Sequence, residues 1–527
     1  MIAAAIAPGR QPPGLRISLR TRNRGPHLLR PFPLMLLFLV LCPILAAVLI
    51  LVGSPARFTA LVSAILNLVV ALALFIEFDR SATGFQFISS TAVSTDWGIH
   101  FAFGVDGLSL LMLELAAIVT FAAIWFTGKI ETYERAFYAS LLFISAGAIG
   151  AFAAIDLFFF YAFHELALIP TFLLIGIWGT GNRSRAAWKI TIYLTAGSFV
   201  LLIGLILLYQ SFPATVRSFD FRDLQSAAGA HALSSSTQRQ IYLLLLIGFG
   251  VLISLFPFHS WAPEAYASAP APAAMLHAGV LKKFGLYGIL RLAVPLLPDG
   301  AHYWTQLLVI LLLGNIIYIG LATIAQKQLD WTLGYSSVMH MGYIFLGIAS
   351  ANAIGNTGAA TLIFAHGLSI ALLFAIAGQI RERTGTLAYD DLGGLAKAMP
   401  FAGLAFGFGA FAAIGLPGFA NFASEIMIFF GAFRHGWEMQ RFHLFQIATV
   451  LALWGVVIST VYMLRAYRAT FMGAMPERWS KLVDLRRSLR IPAAILIAAL
   501  LVVGFFPQTV VNIITPAIRT YFLTSNK

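Results

Sequence analysis

Long apolar runs separated by short polar connectors recur between residues 33 and 507. A helix that crosses a bilayer needs about 20 apolar residues. On that requirement the chain predicts helices near 33–53, 57–78, 106–127, 136–153, 155–178, 188–210, 240–257, 271–295, 303–325, 331–351, 357–380, 400–433, 444–469 and 489–507. Two stretches depart from a plain apolar helix. The first, residues 239–294, breaks at Pro257, passes through a Pro/Ala/Ser segment and re-enters an apolar helix carrying Lys282 and Lys283. The second, 400–433, breaks at the Gly-Leu-Pro-Gly of 415–418 and places Glu425 after the break. Proline removes a backbone donor, and open backbone at membrane depth is tolerated only where protein covers it or a wet cavity meets it. Paired interrupted helices in two halves of a chain point to inverted-repeat transport proteins. A pair of merely kinked structural helices is the plainer alternative.

Composition agrees with a polytopic, all-α membrane protein. Of the 527 residues, 60% are hydrophobic and only 10% charged, against about 25% charged in soluble domains, and mean hydropathy is +0.86. The connectors 79–105, 211–238 and 470–488 are loop-sized, too short for a separate soluble domain. Cys42 is the single cysteine, which excludes an internal disulfide, a Cys-based zinc site and a cysteine-ligated cluster. The net charge of +13 is spread over loops and tails with no basic, aromatic-lined platform, so no nucleic acid is expected as a partner; the lipid bilayer is. No Walker sequence, dinucleotide fingerprint or HExxH appears.

Residues 1–32 hold Arg10, Arg16, Arg20, Arg22, Arg24 and Arg30 among Pro and Gly, without an acid, and read as a disordered or untranslated extension, with Met35 a cleaner start. Loops after the first, third, fifth, ninth, eleventh and thirteenth spans carry Arg57, Lys129, Arg135, Arg183, Arg185, Lys327, Arg381, Arg383, Lys397, Arg478, Lys481, Arg486 and Arg487. Positive loops face the cytoplasm, so both termini are expected outside a multi-pass protein of the cell inner membrane.

An ionisable side chain at the bilayer centre costs roughly 2.5–3.5 kcal/mol on insertion scales, so buried charges mark candidate chemistry. Lys283 lies mid-span, too far from a helix end to snorkel. Lys282, about 100° round the helix, is the weaker candidate. Glu165 follows His164 in an apolar run; its plain alternative is an acid that only hydrogen-bonds a neighbouring helix. His340 and His366 suit a relay, because imidazole titrates near neutral pH, though lone histidines are commonly satisfied core residues. Lys189 reads either as a relay member or as a cation at a loop end. Asp106 and Asp156 open helices and read as caps. Glu114 is a further buried acid without an assigned place.

The motifs GVDGLSLL at 104–111, DLFFFYAFHELALIPTFLLIGIWG at 156–179, PFHSWAPEAYASAPAPAAMLHAGVLKKFGLYGILRL at 257–292, GYSSVMHMGY at 334–343, AHGLSIALLF at 365–374 and GLPGFANFASE at 415–425 run in order along the chain. Over roughly 100–470 it resembles the antiporter-like membrane subunits of respiratory complex I, closest to subunit M of proton-pumping NADH:quinone oxidoreductase. That resemblance implies fourteen helices: three N-terminal ones (33–127), inverted five-helix repeats at 136–295 and 303–469, and a last helix and tail (489–527). The seventh and twelfth are discontinuous. It implies a row of proton-carrying groups at Glu165, Lys283, His340, His366 and Glu425, with Glu425 distinguishing the chain from subunits L and N and from Mrp antiporter subunits, which generally carry lysine there. The lysine usually found five residues before the proline of the P-x-H-x-W motif is replaced by Leu252. His277 resembles the histidine of subunit L, and Lys283 or His277 is expected to approach Glu165, directly or through one or two waters, in the missing lysine's stead. No redox cofactor is expected in the chain; NADH, FMN, iron-sulfur clusters and quinone belong to partner subunits of the complex, among them L and N types and small membrane subunits. The alternatives are an Mrp-type cation/proton antiporter subunit, and a non-pumping duplicate of subunit M.

Overall fold

The structure, a computed structural model, describes residues 32–231, 233–437 and 444–523. The extension expected at 1–32 therefore lies outside the described residues, except for Phe32, which opens the first helix. Helices α1 (Phe32–Val52) and α2 (Ala56–Glu77) precede a β-hairpin, β1 (Gln86–Ser94) and β2 (Ile99–Val105). Then follow α3 (Gly107–Phe126), α4 (Glu134–Ala153), α5 (Leu157–Trp178), α6 (Arg183–Gln210), the short α7 (Phe221–Ala230) and α8 (Ser235–Ile253). The middle of the chain forms α9 (Trp261–Ser268), α10 (271–296), α11 (Pro298–Ile324), α12 (Leu329–Ala349) and α13 (Ala353–Thr384). It ends in α14 (Pro400–Ile414), α15 (Ala420–Trp437), α16 (Leu444–Phe471), α17 (Arg487–Phe505) and α18 (Gln508–Leu523). Among the described residues, eleven helices are long and apolar enough to cross a membrane.

Burial sorts these helices. The apolar windows of α3 and α13 are wholly enclosed by protein, whereas α1, α2, α6, α16 and α17 bury less than half of theirs. A helix apolar on all sides must be covered all round or face lipid, so α3 and α13 form the centre and the others present Leu, Ile and Phe outward. Loops at one end meet: Arg381 Nη1, at the end of α13, donates to Thr180 Oγ1 after α5 (3.0 Å), and Trp178 Nε1 donates to the Thr132 carbonyl after α3 (2.9 Å).

The chain is not purely helical. Residues 86–105, expected as a loop, form an antiparallel pair with Ser89 opposite Phe103 and Thr91 opposite Phe101. Isoleucine, valine, threonine and phenylalanine suit strands, and Gly98 supplies the left-handed turn (φ +67°). A two-stranded hairpin needs further packing to be stable; Phe103 and Val105 are buried against the helices. The first broken helix also ends earlier than Pro257 implies. The proline ring clashes with the carbonyl four residues back, which is that of Ile253, and α8 closes there with Ser254 left-handed (φ +68°). The exposed backbone is met from across the fold. Asn315, on a wide turn of α11 (Gly314–Ile319), accepts from Phe256 N at 2.7 Å and donates to the Ser254 and Val338 carbonyls. Residues after the last expected span, read only as a tail, form α18, packed so closely on α3 that a side chain at Gly107 would strike Ile513.

Candidate functional site

The second broken helix closes at Gly415, in the left-handed region (φ +79°), and leaves carbonyls of α14 without helical partners. His340, on α12, reaches one of them: Nε2 lies 2.8 Å from the Ala413 carbonyl while Nδ1 lies 2.8 Å from the Ser336 carbonyl. Carbonyls only accept, so the ring meets both neighbours only with a proton on each nitrogen. This seat suits a group that holds a proton at a helix break. Next to it, at 5.3 Å between ring centres, stands His366 of α13. His366 Nδ1 lies 2.8 Å from Lys283 Nζ of α10.

Two glycines make that last contact possible. A Cβ at Gly367 would stand 2.7 Å from the Gly279 carbonyl, and one at Gly279 would stand 3.1 Å from the Gly367 carbonyl, so α10 and α13 touch backbone to backbone beside the Lys283–His366 pair. Local backbone also aims α10: a wide turn over His277–Leu281 shifts the following residues round the axis.

Glu425 is buried on α15, and its Oε1 has no hydrogen-bond partner among the described residues. Its carboxylate fills the space beside Gly415, where any Cβ would collide with it. Tyr343 stands between His340 and α15, 5.7 Å from the His340 ring and 5.7 Å from Phe429, with its buried hydroxyl lacking a partner among the described residues. Replacing Gly415 with alanine is therefore expected to move the Glu425 carboxylate as well as strain the backbone, the latter by roughly 1–3 kcal/mol. A density map of the assembled variant complex would display the displaced carboxylate; an unmoved Glu425 would refute the expectation.

The first half is arranged differently. Pro170 withholds the donor that the Leu166 carbonyl would use, and α5 tightens at Ala167, whose N–H donates to the His164 carbonyl at 3.1 Å. Glu165 sits at this kink, half-buried, with Tyr161 and Ser198 as polar neighbours and Oε1 lacking a hydrogen-bond partner among the described residues. Among the described residues, neither Lys283 nor His277 makes a direct hydrogen bond with Glu165. Lys283 turns instead to His366, and His277 Nδ1 lies 3.2 Å from the Tyr266 hydroxyl. The physical cause is the close α10–α13 crossing, which places Lys283 on the α13 side of its helix. Lys282, the weaker candidate, is equally buried, with Nζ 3.3 Å from the Ser337 carbonyl. Lys189 is held by Glu264 of α9 (2.9 Å), which also meets Arg185 (3.2 Å).

Sequence reasoning did not single out Glu264 or Arg291. Arg291 is fully buried and pairs with both oxygens of Asp106 at 2.6 Å, while its Nε donates to the Tyr287 hydroxyl at 3.2 Å. Asp106 also caps α3, as expected, accepting from Leu108 N and Ser109 N; Asp156 caps α5 in the same way. An arginine inside an apolar helix and an acid in the first turn after a break were the available signals. Both carboxylate oxygens of Glu114 lack partners among the described residues. Those residues also contain no cluster of three or more His, Cys, Asp or Glu that could hold a metal.

Paired helix breaks around a buried histidine–lysine row define an antiporter-like membrane subunit. The family model for the membrane region of NADH:quinone oxidoreductase and Mrp antiporter subunits matches residues 154–452, and the chain belongs to that family. Within it the chain is similar to chain 4, or subunit M. It is 37% identical over 442 residues to NAD(P)H-quinone oxidoreductase chain 4 2 of Microcystis aeruginosa, covering 82% of this chain and 78% of that one. It is 34% identical over 478 residues to NADH-quinone oxidoreductase subunit M of Rhodobacter capsulatus, covering 88% and 90%. Among solved structures, a chain of respiratory complex I from Thermus thermophilus with bound NADH matches with a TM-score of 0.83 at 28% identity, over 93% of this chain and 99% of that one. A chain of the Mrp complex from Dietzia sp. DQ12-45-1b has the same fold, with a TM-score of 0.80 at 21% identity, over 93% and 97%.

Proposed function

We propose that the chain is a proton-translocating membrane subunit of an NADH:quinone oxidoreductase. In this reading, quinone reduction in partner subunits drives proton transfer along Glu165, Lys189, His277, Lys283, His340, His366 and Glu425. NADH, FMN, iron-sulfur clusters and quinone reside in those partners, which include L-type, N-type and small membrane subunits. The chain crosses the inner membrane fourteen times, with α8–α9 and α14–α15 as the broken seventh and twelfth spans. Two inverted five-helix repeats cover 136–295 and 303–469, and both termini lie outside. The carrying observation is the contact series Lys283–His366–His340, which reaches from α10 to the Ala413 carbonyl at the α14 break. Such a series sets side by side groups that take and release protons, two histidines and a lysine, with an acid, Glu425, beside the break where the series ends.

The test is the Glu425→Gln variant in the intact complex, reconstituted into liposomes, with protons moved per electron as the readout. The amide fits the same space but carries no exchangeable acid proton, so the ratio is expected to fall while assembly persists. A wild-type ratio in the assembled variant would remove Glu425 from the path. The likeness in fold to an Mrp complex chain supports a second reading, a cation/proton antiporter subunit; transport driven by a sodium gradient, without NADH or quinone, would favour it.

A further inference from the structure

Leu252 stands where the resemblance leads one to expect a lysine, and four polar side chains stand near it among the apolar ones, Ala167, Leu168, Leu194 and Leu281. It lines a cavity of about 10 Å³ together with His164, Thr171, His277 and Lys282. That is the least space a single water needs, and a buried water needs two to four polar partners. These side chains supply them. His164 is buried, and its Nδ1 has no hydrogen-bond partner in the described protein. Its ring is held flat on Phe284, with centres 4.1 Å apart and planes 6° from parallel. The stacking fixes the ring's orientation without using its nitrogens. Unsatisfied buried polar atoms call for an unseen partner such as water.

The cavity also connects outward. With His277 Nδ1 taken by the Tyr266 hydroxyl, the second ring nitrogen is the remaining polar atom of His277. Lys282 Nζ lies 5.6 Å from the Tyr266 ring, so the tyrosine touches both groups. Its far side borders a larger cavity of about 320 Å³ that also meets Asp330, Gln379 and Glu382 at the loop end of the bundle. Polar groups thus follow one another from that end through Tyr266 and His277 to His164, the chain neighbour of Glu165.

We propose that His164, linked to His277 by one water beside Leu252, carries the proton that a lysine at this position would otherwise hold. The step is a plain transfer. The imidazole that carries the extra proton, an imidazolium, gives an N–H proton to the water, the water gives a different proton to the bare ring nitrogen of the other, neutral imidazole, and no other bond changes. Lys282, which borders the same cavity, takes no part in the step. This inference rests on the proton-translocating reading and adds a residue to it.

The test uses the intact complex in liposomes. His164→Phe retains an aromatic ring to stack on Phe284 and removes both nitrogens; it is expected to lower protons per electron by as much as Glu425→Gln does. Adding Leu252→Lys to the His164→Phe chain is expected to restore the ratio, because the lysine then occupies its usual place. An unchanged ratio in assembled His164→Phe, alongside a lowered one in Glu425→Gln, overturns the role of His164 and leaves the wider reading standing. An unchanged ratio in both variants overturns the two together. Should His164→Phe fail to assemble, a high-resolution cryo-EM map of the wild-type complex decides: density for one water within hydrogen-bonding distance of a His164 nitrogen is expected, and a dry notch overturns the proposal.

Discussion

Replacing Lys283 with methionine is expected to stop proton transfer through this subunit while the complex still assembles. Methionine follows the course of the lysine stem and fills apolar space well, so packing between α10 and α13 survives. What disappears is the hydrogen-bonding neighbour of His366 Nδ1, at 2.8 Å. A positioned proton donor contributes roughly 10²–10⁴-fold to a transfer step, and a gap of one side chain in an apolar helix offers no substitute. Transfer through the subunit should fall by about 100-fold or more, read as the rate of acidification driven by NADH oxidation in inside-out vesicles. Unaltered acidification in the Lys283→Met complex would show that protons take another course. The neighbouring Lys282, bound to Ser337 rather than to a histidine, should tolerate methionine better as far as the second half of the path is concerned.

The largest effect on stability is expected from Arg291→Ala. The guanidinium is entirely buried and meets both oxygens of Asp106, which lies at the junction of β2 and α3. Removing one partner of a buried pair leaves an uncompensated charge and costs roughly 3–5 kcal/mol. The assembled subunit should therefore be depleted from membranes, and the thermal midpoint of the purified complex should fall. The pair Arg291→Met with Asp106→Asn separates charge from shape. Asparagine still caps α3, methionine fills much of the arginine's volume, and no buried charge remains. That double variant is expected to be more stable than Arg291→Ala alone; a double variant no better than the single one would mean that the ion pair itself, not its desolvated remainder, stabilises the junction.

What the sequence disclosed, and what it did not, follows from distance along the chain. Apolar runs are local, and among the described residues eleven helices are long and apolar enough to cross a membrane. The breaks were also local, since Pro257 and the Gly-Leu-Pro-Gly at 415–418 act on their own turns. The hairpin escaped notice because Phe101, Phe103 and Val105 were read with the connector rather than as one face of a strand. Pairings were out of reach. Lys283 and His366 are 83 residues apart, Lys189 and Glu264 are 75 apart, and Arg291 and Asp106 are 185 apart. Nothing in local periodicity joins such groups. The Lys283–His366 contact was out of reach for the same reason: the glycine contact that turns α10 toward α13 needs Gly279 and Gly367 together. His164 was visible beside Glu165, but its importance depends on a cavity built by α5, α6, α8 and α10 at once.

Protons moved per electron by the intact complex carrying both Lys283→Met and Glu425→Gln test the central claim most directly. If Lys283, His366, His340 and Glu425 serve one path in series, blocking it twice removes nothing more than blocking it once. The double variant is then expected to show the same lowered ratio as Glu425→Gln alone. A wild-type ratio in the assembled double variant would contradict the account.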